Sequence, residues 1–405
     1  MIPSAFPGSR SARMLGMLLT AASIFCSDAI AAETTITAEF QPTSLDPTHD
    51  RFTNTTPPGL YCRWLPSACA RLNAYVIDLP VRLISKEYTK GGPERERFFV
   101  QLPGERSVLL ENEFGNQAEI LIRVASVSGE VRPGGTSNPV FTTFVRGGCS
   151  YVRTTSAGAF VRFGWNVRAP EAPAACHSQG DGGASGFTGT YTAPNLGAGF
   201  EITTPSPLTL LSGTYRGRLV YSVGGAGSDF DYGDNAVVSD NEIVLNLEFK
   251  VQHVFKVEIP PGSDRALLVP AGGWSPWVDH GRPPTRLQRE MPFLLTSSGE
   301  FSVKLACQYP QGERCGIRSN LDATEVPIDI GMTMPGMHDV RTGAQAVDAP
   351  LTLALPAARF RSSHYLAQRP SRLTFSATGD ALTTLLAQRG SHWQGEVTII
   401  FDSEP

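Results

Sequence analysis

Charge is scarce in this chain, and the patterns that mark most enzymes are missing. Only 18% of its 405 residues are Asp, Glu, Lys or Arg, and the formal net charge is −4. A mildly acidic balance gives no reason to expect nucleic acid as a partner. No GxSxG, SxxK, HExxH or phosphate-cradling loop occurs, so the usual sequence marks of hydrolases, zinc proteases and nucleotide enzymes are absent. The histidines (His49, His177, His253, His280, His338, His364 and His392) are scattered. None stands at catalytic or metal spacing from a Cys or an acidic residue. The reading is a protein without enzymatic activity, metal or cofactor. Long helical periodicity is nearly absent too, and no stretch beyond the N-terminus approaches a membrane span.

What the chain does have begins with a leader. Arg10 and Arg13 form a basic region, residues 14–25 are apolar but too short to span a bilayer, and Ala29-Ile30-Ala31 fits a small-x-small cleavage site. Residues 1–31 read as a signal peptide. Removing it takes Cys26 and leaves Cys62, Cys69, Cys149, Cys176, Cys307 and Cys315. An even set in an exported chain reads as three disulfides, and six cysteines allow 15 pairings. Pairing of neighbours is the simplest of these.

Glycine (40) and proline (31) are plentiful, and short alternating runs lie between Gly, Pro, Asn and Asp. That is the pattern of all-β sandwiches. In the first half, strands are expected near 75–85, 97–102, 107–110, 118–127, 140–145, 159–167, 199–203, 215–223 and 242–251. In the second half they are expected near 254–259, 292–297, 300–307, 326–334, 351–355 and 372–377. A short helix over 380–387 has Asp380 as an N-cap candidate and Gly390 as a stop. The stretches 180–186 and 224–228 read as glycine-rich loops. The border falls near 250–252 without a Gly/Ser linker, so two domains, 32–250 and 253–405, should stand stiffly end to end.

One pattern closes each half. Tyr215-Arg-Gly217-Arg-Leu219-Val-Tyr221-Ser-Val223 and Trp393-Gln-Gly395-Glu-Val397-Thr-Ile399-Ile-Phe401 both read aromatic, any, Gly, polar, then apolar at every second position. A period of two places one row on one face of a strand. A Gly two residues after the aromatic suggests a bend or bulge at the strand's entrance.

With these residues the chain resembles the minor tip adhesins of chaperone–usher pili, the alpha-fimbrial group that includes colonisation-factor tip adhesins and CblD-like proteins. The resemblance is architectural along the mature chain and reaches motif level over the two closing strands. It implies two tandem immunoglobulin-like β-sandwiches: a receptor-binding adhesin domain (32–250), then a pilin domain (253–405) lacking its last strand. Such a domain must borrow a strand from another chain. The implied lenders are a periplasmic pilus chaperone and then an adjacent pilin subunit, with an outer-membrane usher handling assembly. The implied groove edges are Val254, Phe255, Val257 and Ile259 on one side and Val397, Ile399 and Phe401 on the other. After Phe401 only Asp402, Ser403, Glu404 and Pro405 remain, so no further strand is expected in cis. A chain that accepts a strand and offers none belongs at a pilus tip, on the cell surface.

Receptor binding is the remaining task, and a glycan or glycoprotein is the implied receptor. Asp50-Arg51, upstream of Cys62, matches an Asp-Arg pair of the resembled family's receptor cluster, whereas Gly224-Gly225-Ala226 stands where that cluster has two arginines. From the residues themselves, Tyr61, Arg63 and Trp64 beside Cys62, and Arg95 and Arg97, combine aromatic faces with guanidinium donors. The acidic run Asp229-Phe-Asp231-Tyr-Gly-Asp234 is incomplete as a calcium loop and serves as a turn. Two other readings stay open at this point: a secreted glycan-active β-sandwich enzyme, and a pilus or surface-coat subunit without a receptor.

Overall fold

The computed structural model describes residues 32–43, 50–71, 74–89, 91–134, 145–179 and 188–403. The leader, His49, the stretch 180–186 and most of the expected strand 140–145 lie outside them. The described chain is all-β, with a few short helices. Alternation shows directly in burial. In the strand Gln117–Gly134, Ala118, Ile120, Ile122 and Val124 point into the core, while Glu119, Leu121 and Arg123 face outward. From Ala125 to Val131 burial is continuous. There the strand is flanked on both sides, by Thr188–Thr203 and by Phe160–Val167.

The first half departs from a simple two-sheet sandwich. Thirteen of its strands hydrogen-bond into one sheet, and three short ones (Phe99–Val100, Cys176–Ser178 and Val145–Gly147) form a second. A single sheet can wrap a core only if its long strands bend. The register between Gln117–Gly134 and Thr188–Thr203 shifts between Thr192 and Asn195 and again between Gly199 and Phe200. Such irregularities bend a strand and increase its twist. Inside, Phe98 meets the edges of Phe163 at 5.0 Å and Trp165 at 5.2 Å, ring centre to ring centre. Edge-to-face packing suits the aromatic quadrupole. The expected strand 75–85 is broken at Pro80 into Tyr75–Leu79 and Leu83–Thr89, since proline cannot donate to a ladder.

Neighbouring cysteines pair: Cys62 with Cys69, Cys149 with Cys176, Cys307 with Cys315. The first bridge ties two short helices, Leu60–Trp64 and Pro66–Cys69. Asp78 starts the first of them by accepting the Leu60 N–H at 2.8 Å. The second bridge is fully buried and joins the two sheets of the first half.

The second half has a nine-stranded and a four-stranded sheet. Its buried apolar residues, Phe293 to Phe375, form a cluster separate from that of the first half, Ile36 to Val251. The expected helix appears as Gly379–Ala387 and buries Ala381 and Leu382. Only residues 252–254 separate the strand Glu242–Val251 from Phe255–Glu258.

The repeated pattern has two different structural causes. Tyr215 and Gly217 lie in an unbroken ladder, from Gly213 opposite Val251 to Ser222 opposite Glu242. No bulge forms there, which corrects the expectation. A Cβ on Gly217 would come within 2.3 Å of Leu110 Cδ2, so the glycine permits close packing of that side chain. In the second copy the chain does turn: Trp393–Gln394 pairs with Arg318 and Ser319 of one sheet, and Val397–Asp402 pairs with Phe301–Cys307 of the other. Gly395 sits at the crossing, where a Cβ would lie 2.6 Å from the Gly316 carbonyl oxygen.

Candidate strand-accepting cleft

The last strand of each half carries an alternating apolar row, and the two rows differ in surroundings. Glu242–Val251 is paired on both sides: antiparallel with Gly213–Gly224, and parallel with the opening strand Ala32–Phe40, in register from Ala32 opposite Ile243 to Phe40 opposite Val251. Its inward row, Ile243, Leu245, Leu247, Phe249 and Val251, is at most 1% exposed. The second closing strand, Val397–Asp402, pairs with Phe301–Cys307 alone and ends its sheet. Val397, Ile399 and Phe401 pack on the second core yet stay only partly covered.

The opposite wall is built the same way. Phe255–Glu258 pairs only with Arg286–Ser297, from Phe255 opposite Ser297 to Glu258 opposite Leu294, and ends the other sheet. Phe255 and Val257 are partly covered. Val254 precedes the strand rather than belonging to it, and Ile259 follows it, 61% exposed. No ladder joins the two edges among the described residues. They meet through rings: Phe255 lies 4.7 Å from Phe301 and 6.2 Å from Phe401, and Phe293 lies 6.0 Å from Phe401. Phe301 and Phe360 form the floor, both fully buried. An edge strand carries unpaired N–H and C=O groups. Here two such edges flank one half-covered apolar row, which suits an extended chain with alternating apolar side chains.

The residues expected to bind a receptor differ in exposure and in the partners they already hold. Arg51 is exposed and 3.6 Å from the Asp50 carboxylate. Tyr61 is buried, a correction to its reading as a surface contact. Its ring lies against Gly164, where a Cβ would come within 2.3 Å of it. Burial pushes its hydroxyl pKa up to about 12. Arg63 is exposed and 3.5 Å from Asp78. Trp64 is covered by the Arg162 guanidinium at 3.9 Å, and Arg162 in turn holds Glu130 at 2.9 Å. Arg97 turns back to the Gly92 carbonyl at 2.8 Å.

Arg95 is a structural tie rather than a free donor. It grips Asp231 with two bonds, at 2.8 and 3.1 Å, reaches Asp234 at 2.8 Å, and lies over the Phe99 ring at 5.0 Å. Asp229 is paired with Arg106 and accepts the Ser222 N–H at 2.9 Å. The acidic run is thus neutralised by arginines. Sequence reading missed Lys86, which is completely buried and donates to the Arg95 and Asp234 carbonyls, both at 2.7 Å. Its place in an alternating strand gave no sign of this. It also missed a hollow of about 300 Å³ lined by Tyr75, Arg123, Phe200, Glu201, Ile202 and Thr203.

Burial lowers the Lys86 pKa to about 8, against the partial support of Asp234. Between pH 8 and the ordinary lysine range the unfolded chain holds the proton that the folded chain has lost, so stability rises with pH in that window. From pH 7.5 to 9.0 the wild type should gain about 1 kcal/mol relative to Lys86→Met. Urea titrations of both chains at the two pH values measure it. Parallel stability curves would refute the burial of a charged lysine.

No family model matches this chain, and no curated relative matches it. Eight solved chains resemble it loosely, among them the following three. One is described as "Chaperone-tip adhesin complex is vital for synergistic activation of CFA/I fimbriae biogenesis", with 10% identity, 93% of this chain and 97% of that chain covered, and a TM-score of 0.24. A second is the CsuC–CsuE chaperone–tip adhesion subunit pre-assembly complex of archaic chaperone–usher Csu pili from Acinetobacter baumannii, with 11% identity, 92% and 98% covered, and a TM-score of 0.20. A third is the CupB6 tip adhesin from Pseudomonas aeruginosa, with 11% identity, 79% and 94% covered, and a TM-score of 0.19. Superpositions this loose leave function to be argued from the strands themselves.

Proposed function

We propose that this chain is a tip adhesin of a chaperone–usher pilus. The second half, 253–405, joins the pilus by accepting a strand between Phe255–Glu258 and Val397–Asp402. The first half, 32–250, binds a surface receptor, with a glycan as the expected class. The observation that carries the reading is the contrast between the last strands of the two halves: Glu242–Val251 is paired on both sides and sealed, and Val397–Asp402 is paired on one side with its apolar row half open. The opening strand adds to it. Ala32–Phe40 is built into the first half, with Ile36 and Phe40 fully buried, so it is not free to serve a neighbour. The partners that follow are a periplasmic chaperone, an outer-membrane usher, one adjacent pilin subunit and the receptor. Export through the periplasm to the pilus tip follows with them.

The test is strand addition to the chain beginning at Ala32. A synthetic extended peptide with apolar residues at alternate positions should raise the melting temperature of the second half. At a hundredfold excess over its Kd the gain is about 2.7 kcal/mol. Phe401→Asp should abolish that gain. A second half that melts cooperatively as a monomer and ignores every such peptide would remove the basis of the proposal. Glycan-array binding by the same chain separates an adhesin from a subunit without a receptor.

A further inference from the structure

The three residues between the halves hold a relay that the function above does not use. His253 Nε2–H donates to the Leu210 carbonyl of the first half at 2.7 Å. Its Nδ1 lies 3.1 Å from the Ser298 hydroxyl of the second half. Ser298 Oγ accepts the Val254 N–H at 2.9 Å, so its own proton points at Nδ1. The relay runs from Val254 N–H through Ser298 and the imidazole to Leu210, and its two middle groups, the hydroxyl and the imidazole, each both give and take. Two more bonds lie beside it: His253 N–H to Ser212 Oγ at 3.3 Å, and Gln252 N–H to the Phe40 carbonyl at 2.9 Å. The Phe40 ring meets the imidazole edge-on at 5.8 Å, and Gly299 leaves room for it, since a Cβ there would lie 2.7 Å from the ring.

We propose that His253 is an acid-sensitive joint: neutral, it locks the two halves together, and protonated, it releases them. The chemistry is one of donor count. A second ring proton would turn Nδ1 into a donor. Ser298 Oγ would then face two donors, Val254 N–H and Nδ1–H, and its own proton would lose its acceptor. A cation would also sit against Phe40 in a half-buried site. Nothing nearby offsets that charge. The charged residues nearest in sequence to the joint and its contacts are Glu39 beside Phe40, Lys250 before the joint, Lys256 and Glu258 after it, which pair with each other, Glu113, which accepts the Thr214 N–H, and Glu300, which is held by Arg359 and Arg361. None of them bonds the imidazole. Consistent with this, burial lowers the His253 pKa below its ordinary value, with the Leu210 carbonyl opposing. A histidine so depressed supports the folded joint fully above about pH 6.5, and the support is lost as the pH falls below it.

The experiment is calorimetry and small-angle scattering of the chain beginning at Ala32, at pH 7.5 and 5.0. Both are run with and without the apolar peptide, so that an open cleft and a loosened joint are read separately. The wild type should show coupled melting of its halves at pH 7.5, then two separated transitions and a broader distance distribution at pH 5.0. His253→Gln keeps one donor and one acceptor without titrating, and should stay coupled at both pH values. Ser298→Ala removes the middle of the relay and should be uncoupled at both. A wild type that stays coupled at pH 5.0, or a His253→Gln or Ser298→Ala chain that separates with acid just as the wild type does, would overturn the joint.

Discussion

Phe301→Ala should unfold the second half and leave the first half standing. The Phe301 ring is fully buried and touches both walls and the floor of the cleft: Phe255 at 4.7 Å, Phe401 at 6.2 Å and Phe360 at 6.1 Å. Removing a buried phenylalanine costs about 3–5 kcal/mol, the transfer loss plus the cavity left behind. The floor cannot collapse to fill that cavity without closing the edges on either side. The two edge strands already lack one partner each, so this half has little stability in reserve. The first half has its own core and shares none of these rings. Urea denaturation at pH 5.0, where the halves melt separately, followed in chains keeping only Trp393 or only Trp165, should show the Trp393 transition move to much lower urea while that of Trp165 holds. Phe301→Leu should fall between. Equal shifts at both tryptophans, or a loss under about 1 kcal/mol, would show that Phe301 does not support the cleft.

The same strand shows where sequence reading succeeds and where it stops. The alternation Val397, Ile399, Phe401 was legible as a strand, and so was Glu242–Val251 at the end of the first half, because period two is a local property. Whether such a strand is sealed depends on what lies beside it, and that is not local. Ala32–Phe40 reaches its partner across about two hundred residues and makes a parallel pair with it, something no turn signal announces. The half-open state of Val397–Asp402 is equally invisible in its own letters. The aromatic-x-Gly pattern was misread in its first copy for a related reason. Gly217 answers to Leu110 on a neighbouring strand and Gly395 to the Gly316 carbonyl, so one motif serves two contacts that only tertiary packing reveals. The disulfides followed the simplest pairing because each joins cysteines close in sequence. The receptor candidates fared differently. Tyr61 and Arg95 have the composition of a binding surface, yet one is packed on a glycine and the other is spent on carboxylates. Residue type alone does not distinguish an arginine that waits for a ligand from one already satisfied.

Arg95 turns that distinction into a measurement. Its guanidinium is 32% exposed, while the Asp231 carboxylate it grips is only 5% exposed. Besides Arg95, the Asp231 carboxylate accepts the Gly233 N–H at 2.8 Å. Arg95→Ala therefore leaves a buried anion almost alone, which costs about 3–5 kcal/mol. It also removes the cover over Phe99 and the bond to the Asp234 carboxylate, while the Lys86 bond to the backbone carbonyl at position 95 stays. Arg95→Lys should recover only part of the loss, because an ammonium cannot make the paired bonds of a planar fork. The double change Arg95→Met with Asp231→Leu should recover more, since it removes the stranded charge as well as its partner. Arg51 is the contrast: its side chain is 90% exposed and its ion pair with Asp50 lies in solvent, so Arg51→Ala should move stability by no more than about 0.5 kcal/mol. Melting temperatures of the four variants rank the effects, and receptor binding per folded molecule completes the test. Arg95→Ala should bind normally once the unfolded fraction is subtracted. A folded, fully stable Arg95→Ala chain that no longer binds would return Arg95 to the receptor surface and undo its assignment as a tie.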